Sequence, residues 1–262
     1  MTGATGRALV TGGARRLGRA MALYLAGRGF DVAIHYATSA EEARHVAEEA
    51  RARGARAALL QADLLDEAQT EALTDRAAEA LGGPLTLLIN NASTFDYDNI
   101  RSTTRESWDR NLGTNLRAPF VLTQTFAAQV PPARRAADGA LAQGLVVNML
   151  DQRVLKLTPE FMSYTIAKMG LWAFTQTAAR ALAPHVRVNA IGPGSTLKGL
   201  HQAQEQFDGQ RAASILERGA DPADIVAALG YFLDAPAVTG QLLCVDGGQH
   251  LGWKTPDIRG QK

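Results

Sequence analysis

Short apolar runs alternate with longer amphipathic stretches along this chain. Arg7–Thr11, Val32–Tyr36, Ala57–Ala62, Leu85–Ile89, Leu145–Met149, Val186–Ile191 and Leu242–Val245 are short and nearly continuous in apolar residues, which predicts seven buried strands. Leu17–Arg28, Ala40–Arg53, Glu67–Leu81, Glu106–Gln129 and Ser163–Ala183 lie between them and read as helices. Asp66 is the expected cap of the third helix, and Ser39 with Glu42 reads as a capping box on the second. Asp221-Pro222 opens a last helix with a cap residue and a proline at the first helical position. Strand–helix alternation with both strand faces apolar predicts a parallel sheet covered by helices, joined by right-handed crossovers. The chain therefore reads as a single doubly wound α/β domain over residues 1–262. Pro131–Gln143 is small and polar and reads as a surface loop. Gly194–Gly219 is a long segment of the kind that often closes over a site, and is expected to be a substrate-binding lid.

Composition narrows the function classes. Hydrophobic residues make up 46% of the 262 residues and charged residues 20%, with 27 Lys+Arg against 26 Asp+Glu. The near-neutral balance argues against nucleic acid as a partner, which usually needs a basic excess. No stretch has the ~18 apolar residues of a membrane helix, and Met1–Arg7 shows no signal-peptide run, so a soluble cytoplasmic protein is expected. Cys244 is the only cysteine, so neither an internal disulfide nor a cysteine-rich zinc site forms. His45, His185, His201 and His250 lack metal-ligand spacing, and no metal is expected.

Two local patterns carry chemistry. Thr11-Gly12-Gly13-Ala14-Arg15-Arg16-Leu17-Gly18 joins the first strand to the first helix, where a dinucleotide site needs backbone N–H groups aimed at a pyrophosphate. The second strand ends in His35-Tyr36-Ala37-Thr38-Ser39 with no acid to hold a free ribose 2′-OH, while Arg15 and Arg16 bring guanidinium groups suited to a phosphate. NADPH is favoured over NADH, with a merely solvated arginine pair as the alternative. The second pattern is Tyr164 and Lys168, four apart on one helix face. A neighbouring ammonium is expected to lower the phenol's pKa and ready it for proton exchange.

These motifs, with Asp63-Leu64, Asn90-Asn91-Ala92-Ser93, Asn115, Pro193-Gly194 and Asp246-Gly247-Gly248, fall in the order and spacing that resembles the short-chain dehydrogenase/reductase family from Arg7 to about Gly248. The resemblance implies a Rossmann-type fold with a central seven-stranded sheet. It also implies cofactor contacts at Gly12, Arg15, Arg16, Leu17, His35, Tyr36, Thr38, Ser39, Asp63, Leu64, Asn91, Ala92, Ser93, Tyr164, Lys168, Pro193, Gly194 and Ser195. Asn115 would hold a proton-relay water, and pairing through long helices would make a dimer or tetramer. The departures from the common family pattern are Arg16 for Gly, Ser93 for Gly, and Asp151 for the Ser thirteen residues before the tyrosine. All three resemble the pteridine reductase and dihydromonapterin reductase branch, in which an Asp–Tyr–Lys set replaces Ser–Tyr–Lys and an aromatic at the place of Phe95 stacks the pterin. Thr38 departs from that branch, which often has Arg there.

The implied catalytic set is Asp151, Tyr164, Lys168 and Asn115, and the implied substrate contacts are Arg16, Ser93, Phe95, Asp151 and Tyr164. A carboxylate suits the N–H and amino donors of a pterin, whereas a serine hydroxyl suits a ketone oxygen. Phe95 offers a flat apolar face for a fused ring. The leading expectation is NADPH-dependent reduction of a dihydropteridine, dihydromonapterin or dihydrofolate. A carbonyl or 3-oxoacyl reductase is the alternative, and a non-catalytic NADPH-binding regulator the third reading.

Overall fold

The computed structural model describes residues 5–137, 139–199 and 202–253. Its strands are β1 (Gly6–Val10), β2 (Phe30–Tyr36), β3 (Ala57–Gln61), β4 (Leu87–Asn90), β5 (Arg134–Ala136), β6 (Gly139–Leu141), β7 (Gly144–Met149), β8 (Val186–Pro193) and β9 (Leu242–Val245). Seven of them form one parallel sheet in the order β3-β2-β1-β4-β7-β8-β9. Parallel pairing follows from the crossover helices α1 (Arg16–Gly27), α2 (Ala40–Ala52), α3 (Glu67–Leu81), α4 (Arg105–Leu112), α5 (Ala118–Gln129), α6 (Met162–Ala181), α7 (Gln204–Ala212) and α8 (Pro222–Asp234).

Both faces of the central strands are buried, and alternate side chains go to opposite cores. Ala8, Val10, Ile89 and Val147 pack with Met21, Leu25, Val46 and Phe232. Leu9, Leu88 and Val146 pack with Leu73, Leu122 and Phe126 on the other side. Each such fully buried Leu or Phe contributes roughly 1.5–3 kcal/mol over leaving it in water. Strand order reverses between β1 and β4, so a crevice opens at their C-terminal ends, where doubly wound sheets bind ligands.

Three local expectations are corrected. Asp66 does cap α3, accepting from the Gln69 N–H at 3.1 Å, but Ser39 makes no side-chain cap bond on α2. Glu42, its expected partner, instead pairs with Arg15 at 2.7 Å. The expected helix Glu106–Gln129 is broken into α4, a π-helical turn over Gly113–Arg117, and α5. Pro119 lies at the start of α5 and has no N–H for the carbonyl four residues back, which is that of Asn115. Pro131–Gln143 is not irregular throughout, since β5 and β6 pair there as an antiparallel hairpin. The segment 194–219 carries a helix of its own, α7, in which no residue is buried. Arg211 ties the end of that helix to the carbonyls of Ser195 (3.1 Å) and Ala220 (2.7 Å). His201 and the chain after Trp253 fall outside the described residues.

Candidate active site

The crevice is built from the ends of β1 and β4. The buried Thr11 hydroxyl accepts from the N–H groups of Asn91 (2.9 Å) and Ala92 (3.0 Å) and donates to the Ile89 carbonyl. Asn91 returns its amide to the carbonyls of Thr11 (2.8 Å) and Gly12 (3.2 Å). Gly12 takes φ +59°, a conformation that L side chains rarely adopt. Its N–H donates to His35 Nδ1 at 3.1 Å, while His35 Nε2 lies 3.1 Å from the Ala62 carbonyl. Those two partners require a neutral ring with its proton on Nε2. His35, expected among the cofactor contacts, is thus buried and holds the loop from beneath, with Tyr36, Thr38 and Ser39 at the more accessible end of β2.

The residues fit a dinucleotide. The N-terminus of α1 has no side-chain cap, which leaves its first N–H groups for an anion. A Cβ on Gly18 would stand 2.1 Å from the Gly12 carbonyl oxygen and 2.6 Å from Asn91 Nδ2, so the loop and helix meet as closely as glycine allows. Gly18→Ala is therefore expected to lower stability by about 1–3 kcal/mol and to weaken NADPH binding. Thermal unfolding and calorimetric titration check both, and wild-type values for the variant would refute this account of the loop. Leu17 packs on the core, and Asp63 and Leu64 lie after β3, with the Asp63 carboxylate accepting from the Leu65 N–H. Arg15 pairs with Glu42, but both side chains are about half exposed and such a pair is weak enough to be exchanged for a phosphate. Arg16 stands at φ +52° and reaches across the crevice, donating to the carbonyls of Lys198 (2.8 Å) and Leu197 (2.9 Å). It thus joins the glycine-rich loop to the segment after β8. Pro193, Gly194 and Ser195 leave the end of β8 towards the same opening, with the Ser195 N–H on the Gln249 side chain (3.2 Å).

β7 delivers Asp151, whose Oδ1 accepts from the Arg153 N–H at 2.8 Å and so caps a short 3₁₀ turn over Gln152–Leu155. Its Oδ2 accepts from the Tyr164 hydroxyl at 3.0 Å. Lys168 donates to the Met149 carbonyl at 2.8 Å and lies 5.5 Å from the centre of the Tyr164 ring. Asp151, Tyr164 and Lys168 are therefore one constellation on the ends of β7 and α6. Burial pushes the Lys168 ammonium down to about 8, and pushes the Asp151 carboxyl up. The expected lowering of the Tyr164 pKa is overturned. Burial raises it well above the ordinary phenol value, and the Asp151 carboxylate accepting from the hydroxyl adds to the rise. Tyr164 is held as a protonated phenol, the form that gives up a proton.

Asn115 lies in the π-helical turn with its side chain fully buried. Its amide donates to Thr94 O (3.0 Å) and Oγ1 (3.1 Å), and its Oδ1 accepts from Ser93 Oγ at 2.6 Å. The chain of bonds continues through residues that sequence reasoning passed over. Thr94 donates to Asn111 (2.9 Å), Asn111 to Ser163 (2.9 Å), and Ser163 to the buried carboxylate of Asp98 (2.5 Å). Phe95 is 52% exposed, stacked on Phe161 (centroids 4.2 Å) and edge-on to Tyr164 (4.7 Å). Tyr97 meets Phe161 edge-on at 5.2 Å. Phe161 was also missed, although its place three residues before Tyr164, at the start of the same helix, is a usable signal. It adopts φ +53°, a conformation of the kind that costs about 1–3 kcal/mol and concentrates at functional sites.

Among the described residues no three His, Cys, Asp or Glu side chains converge on a metal position, and no helix is long and apolar enough to cross a membrane. The short chain dehydrogenase family model matches residues 7–208. The FolM alternative dihydrofolate reductase 1 of Brucella canis, solved with NADP, superposes with a TM-score of 0.90 at 41% identity, over 97% of this chain and 98% of that one. The 3-oxoacyl-[acyl-carrier-protein] reductase FabG of Staphylococcus aureus is 31% identical over 94% of this chain and 99% of its own length. An uncharacterized oxidoreductase of Mycobacterium tuberculosis is 37% identical over 96% of this chain and 95% of its own. With the doubly wound sheet, the glycine loop and the Tyr164–Lys168 pair in one crevice, the chain belongs to the short-chain dehydrogenase/reductase family of oxidoreductases.

Proposed function

We propose that this protein reduces the ring of a pterin (a dihydropteridine, dihydromonapterin or dihydrofolate) at the expense of NADPH. The observation that carries the reading is the Asp151 carboxylate on the Tyr164 hydroxyl at 3.0 Å, with the Phe95 ring edge-on to the same tyrosine. NADPH is supported by the glycine cradle before α1, by Arg15 and Arg16 beside it, and by the missing acid after β2. When bound, the nicotinamide supplies the hydride. The chain's own residues do the rest. Phe95 orients the flat ring against the site. Asp151 accepts hydrogen bonds from ring N–H and amino donors, which a serine at this place would serve less well. Tyr164 delivers its phenolic proton to the substrate nitrogen. Lys168 is still protonated at neutral pH and puts a positive charge beside the phenolate left behind.

The similarity to FabG supports a second reading, reduction of a carbonyl or 3-oxoacyl group on the same scaffold. NADPH oxidation with dihydrobiopterin, dihydromonapterin and dihydrofolate beside a panel of ketones and 3-oxoacyl thioesters separates the two. Pterin turnover is expected, and turnover of the carbonyl panel alone would sink the pterin reading. Asp151→Ser is expected to cut pterin kcat/KM by about 10²-fold while preserving or raising ketone turnover. Assembly as a dimer or tetramer in the cytoplasm completes the proposal; α5 and α6 leave Phe120, Ile166 and Met169 exposed for a like surface.

A further inference from the structure

The 3₁₀ turn that Asp151 caps carries a cation over the aromatic wall of the site. The Arg153 guanidinium lies 4.9 Å from the centre of the Phe161 ring and 6.0 Å from that of Phe95, and with those centres 4.2 Å apart it sits beside the stacked pair that faces the crevice. Its Nη1 donates to Thr158 Oγ1 at 2.6 Å, which fixes its orientation. Among the described residues no carboxylate lies within ion-pair distance of it, whereas Arg15, Arg19, Arg28, Arg105, Arg117, Arg211 and Arg218 all have one. Lys156, three residues on, likewise meets only a carbonyl, that of Gln249 at 3.4 Å. A guanidinium has five N–H donors in a planar fork that matches a carboxylate, and the one side-chain hydrogen bond of Arg153 among the described residues, to Thr158, leaves donors for such a partner.

We propose that Arg153 is a specificity residue that binds the carboxylate of a substrate's tail, so that the site selects dihydropterins with an acidic tail, of the dihydrofolate kind, over those with a neutral polyol side chain. This rests on the pterin reading above. Asp151 and the exposed face at Phe95 define where the fused ring lies. A substituent leaving that ring towards Phe161 would come alongside the guanidinium, which is two residues from Asp151 along the chain. The attraction is charge-assisted, and because the same positive charge also acts on Asp151 and Tyr164 whatever the substrate, the tail contact shows as a difference between acidic and neutral substrates.

The test is steady-state kinetics of the full chain with NADPH on dihydrofolate and on dihydromonapterin, for wild type, Arg153→Met and Arg153→Lys. Arg153→Met is expected to raise KM for dihydrofolate about tenfold or more, with KM for dihydromonapterin changed less than about twofold. Arg153→Lys should recover part of the loss, because it keeps the charge without the fork. Equal changes on the two substrates, or none on either, would overturn the carboxylate assignment while leaving the pterin reading intact. Wild-type inactivity on both would overturn the pterin reading and this inference with it. The unchanged neutral substrate also serves as the internal check that the variants fold.

Discussion

Tyr164→Phe is expected to lower kcat by about 10²–10⁴-fold while leaving NADPH affinity within a few-fold of wild type. The ring of residue 164 is buried and packs edge-on to Phe95, and the substitution preserves both contacts. What it removes is one hydroxyl, 3.0 Å from Asp151, which is the proton donor of the proposed reaction. Neither neighbour replaces it. Lys168 is directed to the Met149 carbonyl, and Asp151 is a hydrogen-bond acceptor whose other oxygen is committed to the Arg153 N–H. Steady-state kinetics with a calorimetric NADPH titration makes the measurement. A kcat within tenfold of wild type would show that the proton comes from elsewhere.

A second large effect is acid lability centred on His35. Burial holds this imidazole down to about 4, against an ordinary value of 6.5. Above pH 6.5 neither the folded nor the unfolded chain protonates it. Between 6.5 and about 4 the unfolded chain takes up a proton that the folded chain refuses, so stability falls with falling pH across that window. The free energy involved is on the order of 3 kcal/mol, a large share of the ~5–15 kcal/mol available to a typical domain. Protonation also puts a hydrogen on Nδ1, where the Gly12 N–H now donates, so the phosphate loop loses its anchor. Urea unfolding at pH 7.0 and pH 4.5 should show the drop, and His35→Gln should flatten it while lowering stability at pH 7.0. An equal pH dependence in the variant would assign the lability to other groups. Lys168 gives the same sign in a different window. Its folded value of about 8 lies below the ordinary 10.5, so stability rises as pH climbs from 8 towards 10.5.

The two effects differ in how far the sequence alone reaches them. Tyr164 and Lys168 are four apart on one helix, and such spacing reads directly as a shared face. Asp151 was found by its place relative to the tyrosine within a family pattern, and the bond between them agrees with that spacing. His35 was read as a cofactor contact from its match to the family's cofactor segment, yet the ring turns inward beneath the loop. Whether a strand-end residue faces out or in depends on what β3 places beside it, here the Ala62 carbonyl. The break in the expected helix was legible only in Pro119.

Periodicity of apolar residues by itself determined the seven strands of the parallel sheet and most of the helices between them, because side-chain direction along a strand or helix is set by local covalent geometry. The glycines before α1 were equally legible, since backbone sterics alone confine such turns to glycine. Only the tertiary structure decided the contacts that cross the crevice. Arg16 reaches the Lys198 carbonyl, Ser163 reaches Asp98, Phe161 stacks on Phe95, and Arg153 lies beside both rings. These partners are far apart in the chain and meet because strand order brings β1, β4, β7 and β8 to one edge. The protonation of Tyr164 was decided in the same way. Four-residue spacing supplied the nearby ammonium, but burial and the Asp151 carboxylate raise the phenol's pKa, and what opposes them is the Arg153 charge and the Ser93 hydroxyl.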